Sequence, residues 1–99
     1  MFAGISGLLI PGGAVSIYSS PYEEASNFLF DLAKMDNDAG DIFPIWGTCL
    51  GFEMLVLMAN GNVPNLKNCN SYDQALPLDL LKGYNESKLF GKVKLVLDI

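Results

Sequence analysis

A cysteine with glycine two positions to either side, in Gly47-Thr48-Cys49-Leu50-Gly51-Phe52-Glu53, stands between a short apolar run and a helix-like run. A nucleophile on a sharp strand-to-helix turn needs such glycines, because backbone crowds the turn while the reactive side chain is pushed outward. The pattern predicts a nucleophile elbow, with Cys49 as the attacking group and Gly47 and Gly51 as its small flanks. At a helix start, unpaired amides and the macrodipole favour an anionic sulfur, and the amide of Leu50 is placed to meet an oxygen gaining negative charge. A second loop, Pro11-Gly12-Gly13, closes an earlier apolar run. If the two runs are neighbouring parallel strands, both loops reach one sheet edge. Amides of Gly13 and Leu50 then converge on one oxygen, as an oxyanion hole requires. The chain contains no histidine. Its nucleophile therefore lacks the base that most often activates a cysteine.

Each feature has a plainer reading. Free cysteine packs as a small hydrophobe, and Pro-Gly-Gly by itself is a turn. The conjunction of strand, Pro44, Trp46 and a second glycine around Cys49 favours the elbow. Glu53 lies four residues past Cys49 on the same helix face, although a glutamate in a first turn ordinarily just complements the dipole. Cys69 sits between Asn68 and Asn70 in an expected loop and takes no role. Tyr18, Tyr22 and Tyr72 read as half-buried packing rather than as a ligand border.

The elements around these residues follow from pattern. Ile5–Ile10 is a compact apolar run ended by Pro11-Gly12-Gly13, the mark of a central buried strand. Ser20-Pro21-Tyr22-Glu23 supplies an N-cap, a proline at the first helical position and a glutamate set for a capping box. Ala25, Phe28, Leu29, Leu32 and Ala33 give the following helix one apolar face, and the polar run Asp36–Asp41 ends it. Ile42–Trp46 is a second strand, in which Pro44 removes a ladder hydrogen bond or bends the chain. Leu50–Ala59 has almost no polar face, so this helix is expected to be buried on most sides, with Asn60-Gly61 as its stop. The order is βαβα, which implies parallel strands, right-handed crossovers and a site at their C-terminal ends. Past Pro64 the period weakens, and short antiparallel strands are expected over residues 66–81 with a turn at Gly83–Glu86. Val93, Leu95, Leu97 and Ile99 alternate with polar residues as a half-buried strand.

Composition excludes several classes. Eleven acidic and six basic residues, with no arginine, leave no basic patch to neutralise a row of phosphates, so nucleic acid is not a partner. No apolar run approaches the roughly 20 residues that span a bilayer. The apolar first ten residues lack a positive n-region and are interrupted by Gly4 and Gly7, so no signal peptide is read in this chain. Half of the 99 residues are apolar, enough to bury about 60–70% of the unfolded surface in one domain over residues 1–99 but small for a sheet covered on both faces. Two cysteines make no disulfide framework. Asn85-Glu86-Ser87 matches the N-glycosylation pattern, which has meaning only for a secretory protein.

The Ile5–Gly13 strand and loop, the segment Phe43–Glu53 and the stretch Ala75-Leu76-Pro77-Leu78 together resemble the gamma-glutamyl hydrolase family, of the class I glutamine-amidotransferase-like superfamily. The likeness runs over nearly the whole chain. It implies a three-layer α/β sandwich with a mainly parallel, flavodoxin-like sheet, incomplete at both ends here because the chain is similar to the middle third of such an enzyme. It also implies hydrolysis of gamma-linked glutamate from folylpoly-gamma-glutamates through a cysteine acyl-enzyme. Cys49 matches the nucleophile, and Gly13 and Leu50 match the oxyanion donors. The family's catalytic histidine and its acidic partner match nothing in this chain. Lysosomal, vacuolar or extracellular location and a homodimer of the full-length protein are further implications. No cofactor or metal is called for. A rival of another class is a catalytically inactive relative kept as a binding or dimerisation module, and the missing histidine fits both. An amidotransferase glutaminase domain shares the elbow, but the Phe52-Glu53 continuation fits the hydrolase better.

Overall fold

The computed structural model describes residues 4–92. The chain divides into two compact units, one ending at Asn68 and one beginning at Cys69. In the first unit, strand β1 (Leu8–Ile10) leads through helix α1 (Pro21–Asp38) to strand β2 (Ile45–Gly47) and helix α2 (Leu50–Ala59). The strands pair in parallel, with Leu8 opposite Ile45, Leu9 opposite Trp46 and Ile10 opposite Gly47. The unit is therefore the βαβα arrangement read from the sequence. Both strands are shorter than their apolar runs, and Pro44 is the reason. It has no N–H to donate to a ladder, and a β-carbon on Gly7 would lie 3.0 Å from its carbonyl oxygen and 3.2 Å from its ring. Pairing begins only where that carbonyl accepts the Leu8 amide at 3.0 Å.

Helix α1 starts as its sequence dictates. Ser20 is the N-cap, its hydroxyl accepts the Glu23 amide at 3.2 Å, and Pro21 takes the first helical position. The Glu23 carboxylate accepts from Asn27 Nδ2 one turn on. At the other end Gly40, with φ of 93°, lets the Asp41 amide reach the Asp36 carbonyl and its own amide reach Asn37. This is a Schellman closure. Helix α2 ends the same way, Gly61 donating to Met58 and Asn62 to Leu57, with Gly61 at φ of 67°. Its bounds, Leu50–Ala59, are those read from the sequence.

The buried line of α1 overlaps the expected face only in part: Ala33 is buried and Leu29 and Leu32 half-buried as expected. Tyr22, Ser26, Phe30 and Ala33 turn inward or half-inward, whereas Ala25 and Phe28 are exposed, Phe28 at 57%. Apolar residues occupy two arcs of this helix. The small side chains of Ser26 and Ala33 let α1 approach its neighbour, and Tyr22 and Phe30 pack on the core. That core is Ile10, Ile17, Met54, Leu57 and Met58, with Leu8, Ile45, Leu50 and Leu55 against it. Burying a side chain such as Leu57 contributes about 1.5–3 kcal/mol. Phe52 remains exposed on α2, while Gly51, Met54, Leu57 and Met58 are buried, so that helix is covered on most sides as expected.

Leu8, Ile10 and Ile45 face the core, and by strand alternation Leu9 and Trp46 face away. Those two are 64% and 54% exposed. Among the described residues the second face of the strand pair is uncovered, so these elements build two layers and the third layer of the expected sandwich is not seen. No helix among them is long and apolar enough to cross a membrane.

In the second unit the expected turn is present as a single 3-10 turn, Tyr84–Glu86, entered through Gly83 at φ of 90°. The short antiparallel strands expected over residues 66–81 are absent among the described residues. Leu76, Leu78 and Leu81 are exposed there, so no buried face fixes a strand register. Asn85 stands in the 3-10 turn, exposed. The alternating segment Val93–Ile99 lies outside the described residues.

Candidate active site

Cys49 lies two residues past the end of β2 and caps α2, with φ of 54° and ψ of −115°. A non-glycine residue at such angles costs on the order of 1–3 kcal/mol and persists only where its surroundings fix it. They do so from both sides. Ahead of it, the Thr48 amide donates to the Ile10 carbonyl at 3.0 Å; behind it, Gly51 donates to Thr48 at 2.9 Å, and Phe52 and Glu53 donate to the Cys49 carbonyl at 2.9 and 3.1 Å. The result is a tight turn with an exposed thiol at its apex.

The flanking glycines are sterically required. A β-carbon at position 51 would overlap the Ile10 carbonyl oxygen and lie 2.7 Å from its carbon, and one at 47 would run into the Gly51 carbonyl and come within 2.7 Å of Leu55 Cδ1. The Pro11–Gly13 loop reaches the same edge. A β-carbon on Gly12 would lie 3.1 Å from Cys49 Cβ and 3.7 Å from its sulfur, and one on Gly13 would lie 3.7 Å from Leu50 Cδ2. The five elbow and oxyanion residues expected from the sequence, Gly13, Gly47, Cys49, Leu50 and Gly51, thus gather at the C-terminal ends of the two strands. Among the described residues the amides of Gly12, Gly13 and Leu50 donate to no protein acceptor. They are unspent donors beside a thiol.

Tyr22, read from the sequence as half-buried packing, does pack on the core but also reaches the site. Its hydroxyl donates to the Pro11 carbonyl at 2.9 Å, tying the first turn of α1 to the glycine loop. Burial holds the phenol above its usual range, and the neighbouring Cys49 and Glu53 add to this by charge. The side chain therefore stays a protonated donor near neutral pH. The signal available in the sequence was its place in the first turn of a helix that begins just after the loop. Glu53 is half-buried in the first turn of α2, where it complements the dipole. Trp46 Nε1 donates to Thr48 Oγ1 at 3.0 Å, bracing the elbow from outside. Tyr18 and Tyr72 are exposed, and Cys69 and Asn85 belong to the second unit. Among the described residues no three acidic, cysteine or histidine side chains are grouped to hold a metal ion.

Fold and site define an α/β protein with a cysteine on a strand-to-helix elbow facing a glycine loop. No family model matches the chain. It is 39% identical over 90 residues to human gamma-glutamyl hydrolase, covering 91% of this chain and 28% of that protein, and 40% identical over 91 residues to the rat gamma-glutamyl hydrolase, with the same coverage. Gamma-glutamyl hydrolase B of Dictyostelium discoideum is 33% identical over 90 residues, or 90% of this chain and 26% of that protein. Over the matched residues the chain is similar to these gamma-glutamyl hydrolases, a name that fits the glutamine-amidotransferase-like class. It spans little more than a quarter of the length of these curated relatives.

Proposed function

We propose that this segment carries the nucleophile of a hydrolase that removes gamma-linked glutamate from folylpoly-gamma-glutamates. The observation that supports this most is the constrained backbone of Cys49, held between two glycines that tolerate no side chain and set beside three amides that meet no acceptor among the described residues. In the reaction the Cys49 sulfur bonds to the gamma-carbonyl carbon, and the carbonyl electron pair moves to oxygen, where the amides of Leu50 and Gly13 receive it. The C–N bond then breaks, the glutamate amine leaves with a proton, and water hydrolyses the thioester to free acid and thiol. Acylation of an amide needs a base for the thiol and an acid for the amine. No histidine occurs in the 99 residues, so this chain by itself is expected not to turn over at an enzyme-like rate. For the whole protein, a lysosomal, vacuolar or extracellular setting, a sugar on Asn85 and a homodimer extend the same proposal.

The missing histidine fits a rival equally, an inactive relative acting as a binding or dimerisation module. An activated donor separates the two. The p-nitrophenyl ester of the glutamate gamma-carboxyl expels a stable phenolate and needs no acid. Mass spectrometry should find one gamma-glutamyl group, on Cys49, lost in Cys49→Ala. Labelling no faster than that of free cysteine would favour the module.

A further inference from the structure

The loop that faces Cys49 is held by few contacts. Gly12 and Gly13 have no side chains to anchor them, and the next buried residue along the loop is Ile17. At the start of the loop the Pro11 carbonyl accepts the Tyr22 hydroxyl at 2.9 Å, and the Gly51 backbone passes so close that a β-carbon there would sit 3.0 Å from the same oxygen. The peptide joining Pro11 to Gly12 is trans, and a planar unit whose oxygen is held also has its N–H direction set. We infer that Tyr22 is a positioning residue for the oxyanion-binding loop: through its hydrogen bond to the Pro11 carbonyl it sets the direction of the Gly12 amide, and with it the start of the peptide that carries the Gly13 amide, toward the oxygen of whatever carbonyl Cys49 attacks.

The inference rests on Cys49 as the acyl-accepting nucleophile proposed above. Tyr22 is not assigned contact with substrate. Its hydroxyl is directed at backbone, and its ring packs on the core. Removing the hydroxyl while keeping the ring therefore loosens the loop without emptying the core. The thiol keeps its elbow, which is built by Gly47, Gly51 and the hydrogen bonds around Thr48. Two reactions of the same sulfur distinguish these parts. Alkylation by iodoacetamide displaces iodide and develops no oxyanion. Addition to an aldehyde forms a C–S bond and sends the carbonyl pair to oxygen, which takes up a proton to give the hemithioacetal; that oxygen occupies the place the amides serve.

The probe is N-acetylglutamate γ-semialdehyde, added to the full 99-residue chain, with capture measured by the loss of iodoacetamide-reactive Cys49. Tyr22→Phe should weaken aldehyde capture about tenfold, the scale on which small misplacement of oxyanion donors acts, and leave the alkylation rate within about twofold. 4-Aminophenylalanine at position 22 keeps a donor and should capture within about threefold of the wild type; it decides the matter if the Phe variant does not fold. Equal capture by wild type and Tyr22→Phe, a parallel loss of both reactions in a folded variant, or a loss in the amino variant as deep as in the Phe variant would each overturn the positioning role. Wild-type capture no tighter than that of free cysteine would overturn the nucleophile reading itself, and this inference with it.

Discussion

Gly51→Ala tests the packing that creates the elbow. Alanine is the better helix former by up to about 1 kcal/mol, so at an unobstructed position in α2 the change would stabilise the chain. Position 51 is obstructed. The added carbon overlaps the Ile10 carbonyl oxygen, lies 2.7 Å from the Ile10 carbonyl carbon and 3.0 Å from the Pro11 oxygen. These atoms are backbone and cannot swing aside, so α2 must withdraw from β1 by on the order of 1 Å to reach ordinary contact. Overpacking of this kind costs about 1–3 kcal/mol. The Thr48 amide, now 3.0 Å from the Ile10 oxygen, is pulled with the elbow, and its hydrogen bond contributes about 1 kcal/mol. Set against the propensity gain, the net effect is a destabilisation of about 2 kcal/mol. Urea unfolding followed by fluorescence of Trp46, the single tryptophan, should show the midpoint falling by about 1–2 M at unchanged slope. Gly4→Ala, where nothing lies within 4 Å, should shift stability by no more than about 0.5 kcal/mol. An unchanged or raised midpoint for Gly51→Ala would refute the reasoning.

Other expectations follow from the same contacts. Ser20→Ala removes the side-chain acceptor of the Glu23 amide and should cost about 1 kcal/mol in the same assay; no change would mean that water caps α1 equally well. Gly61→Ala forces a side chain to φ of 67° in open space and should lower stability by about 1–2 kcal/mol through backbone strain alone, whereas a gain would contradict the Schellman closure of α2. For Tyr22 the sign follows from its phenol lying above the ordinary value of 10.0 in the folded chain. Its contribution is fully present below the unfolded value and fades as pH rises through the folded one. Wild type should therefore lose more stability than Tyr22→Phe above pH 10.0, and coincident alkaline limbs would count against the environment assigned to the phenol.

What was legible in the sequence was mostly local. Ser20-Pro21 starts α1 and Asn60-Gly61 stops α2 because caps act through neighbouring backbone groups. The elbow was legible because close approach on both sides of Cys49 leaves glycine as the fitting residue at 47 and 51. The buried line of α1 was not, since Phe28 and Phe30 are equally apolar and only the position of α2 selects between them. The late start of pairing, at the Pro44 carbonyl, depended on which strand partner that carbonyl met. The hydrogen bond from Tyr22 to Pro11 exists only once α1 has folded back over the loop, so no local pattern announces it. Residues 66–81 carry apolar side chains without a period, and no packing partner within their unit gives them one.

The proposed function gives this chain the nucleophile and oxyanion donors of a gamma-glutamyl hydrolase but no histidine to move the protons. It is tested most directly by giving the same acyl group two leaving groups. With the gamma-p-nitrophenyl ester of glutamate, the account predicts a burst of nitrophenolate that approaches one equivalent per chain and vanishes in Cys49→Ala. With gamma-glutamylglutamate, whose amine must be protonated to leave, it predicts no enzyme-like turnover. Full turnover of the dipeptide that disappears in Cys49→Ala would show that another residue of the chain supplies the proton transfers, and the account would be contradicted.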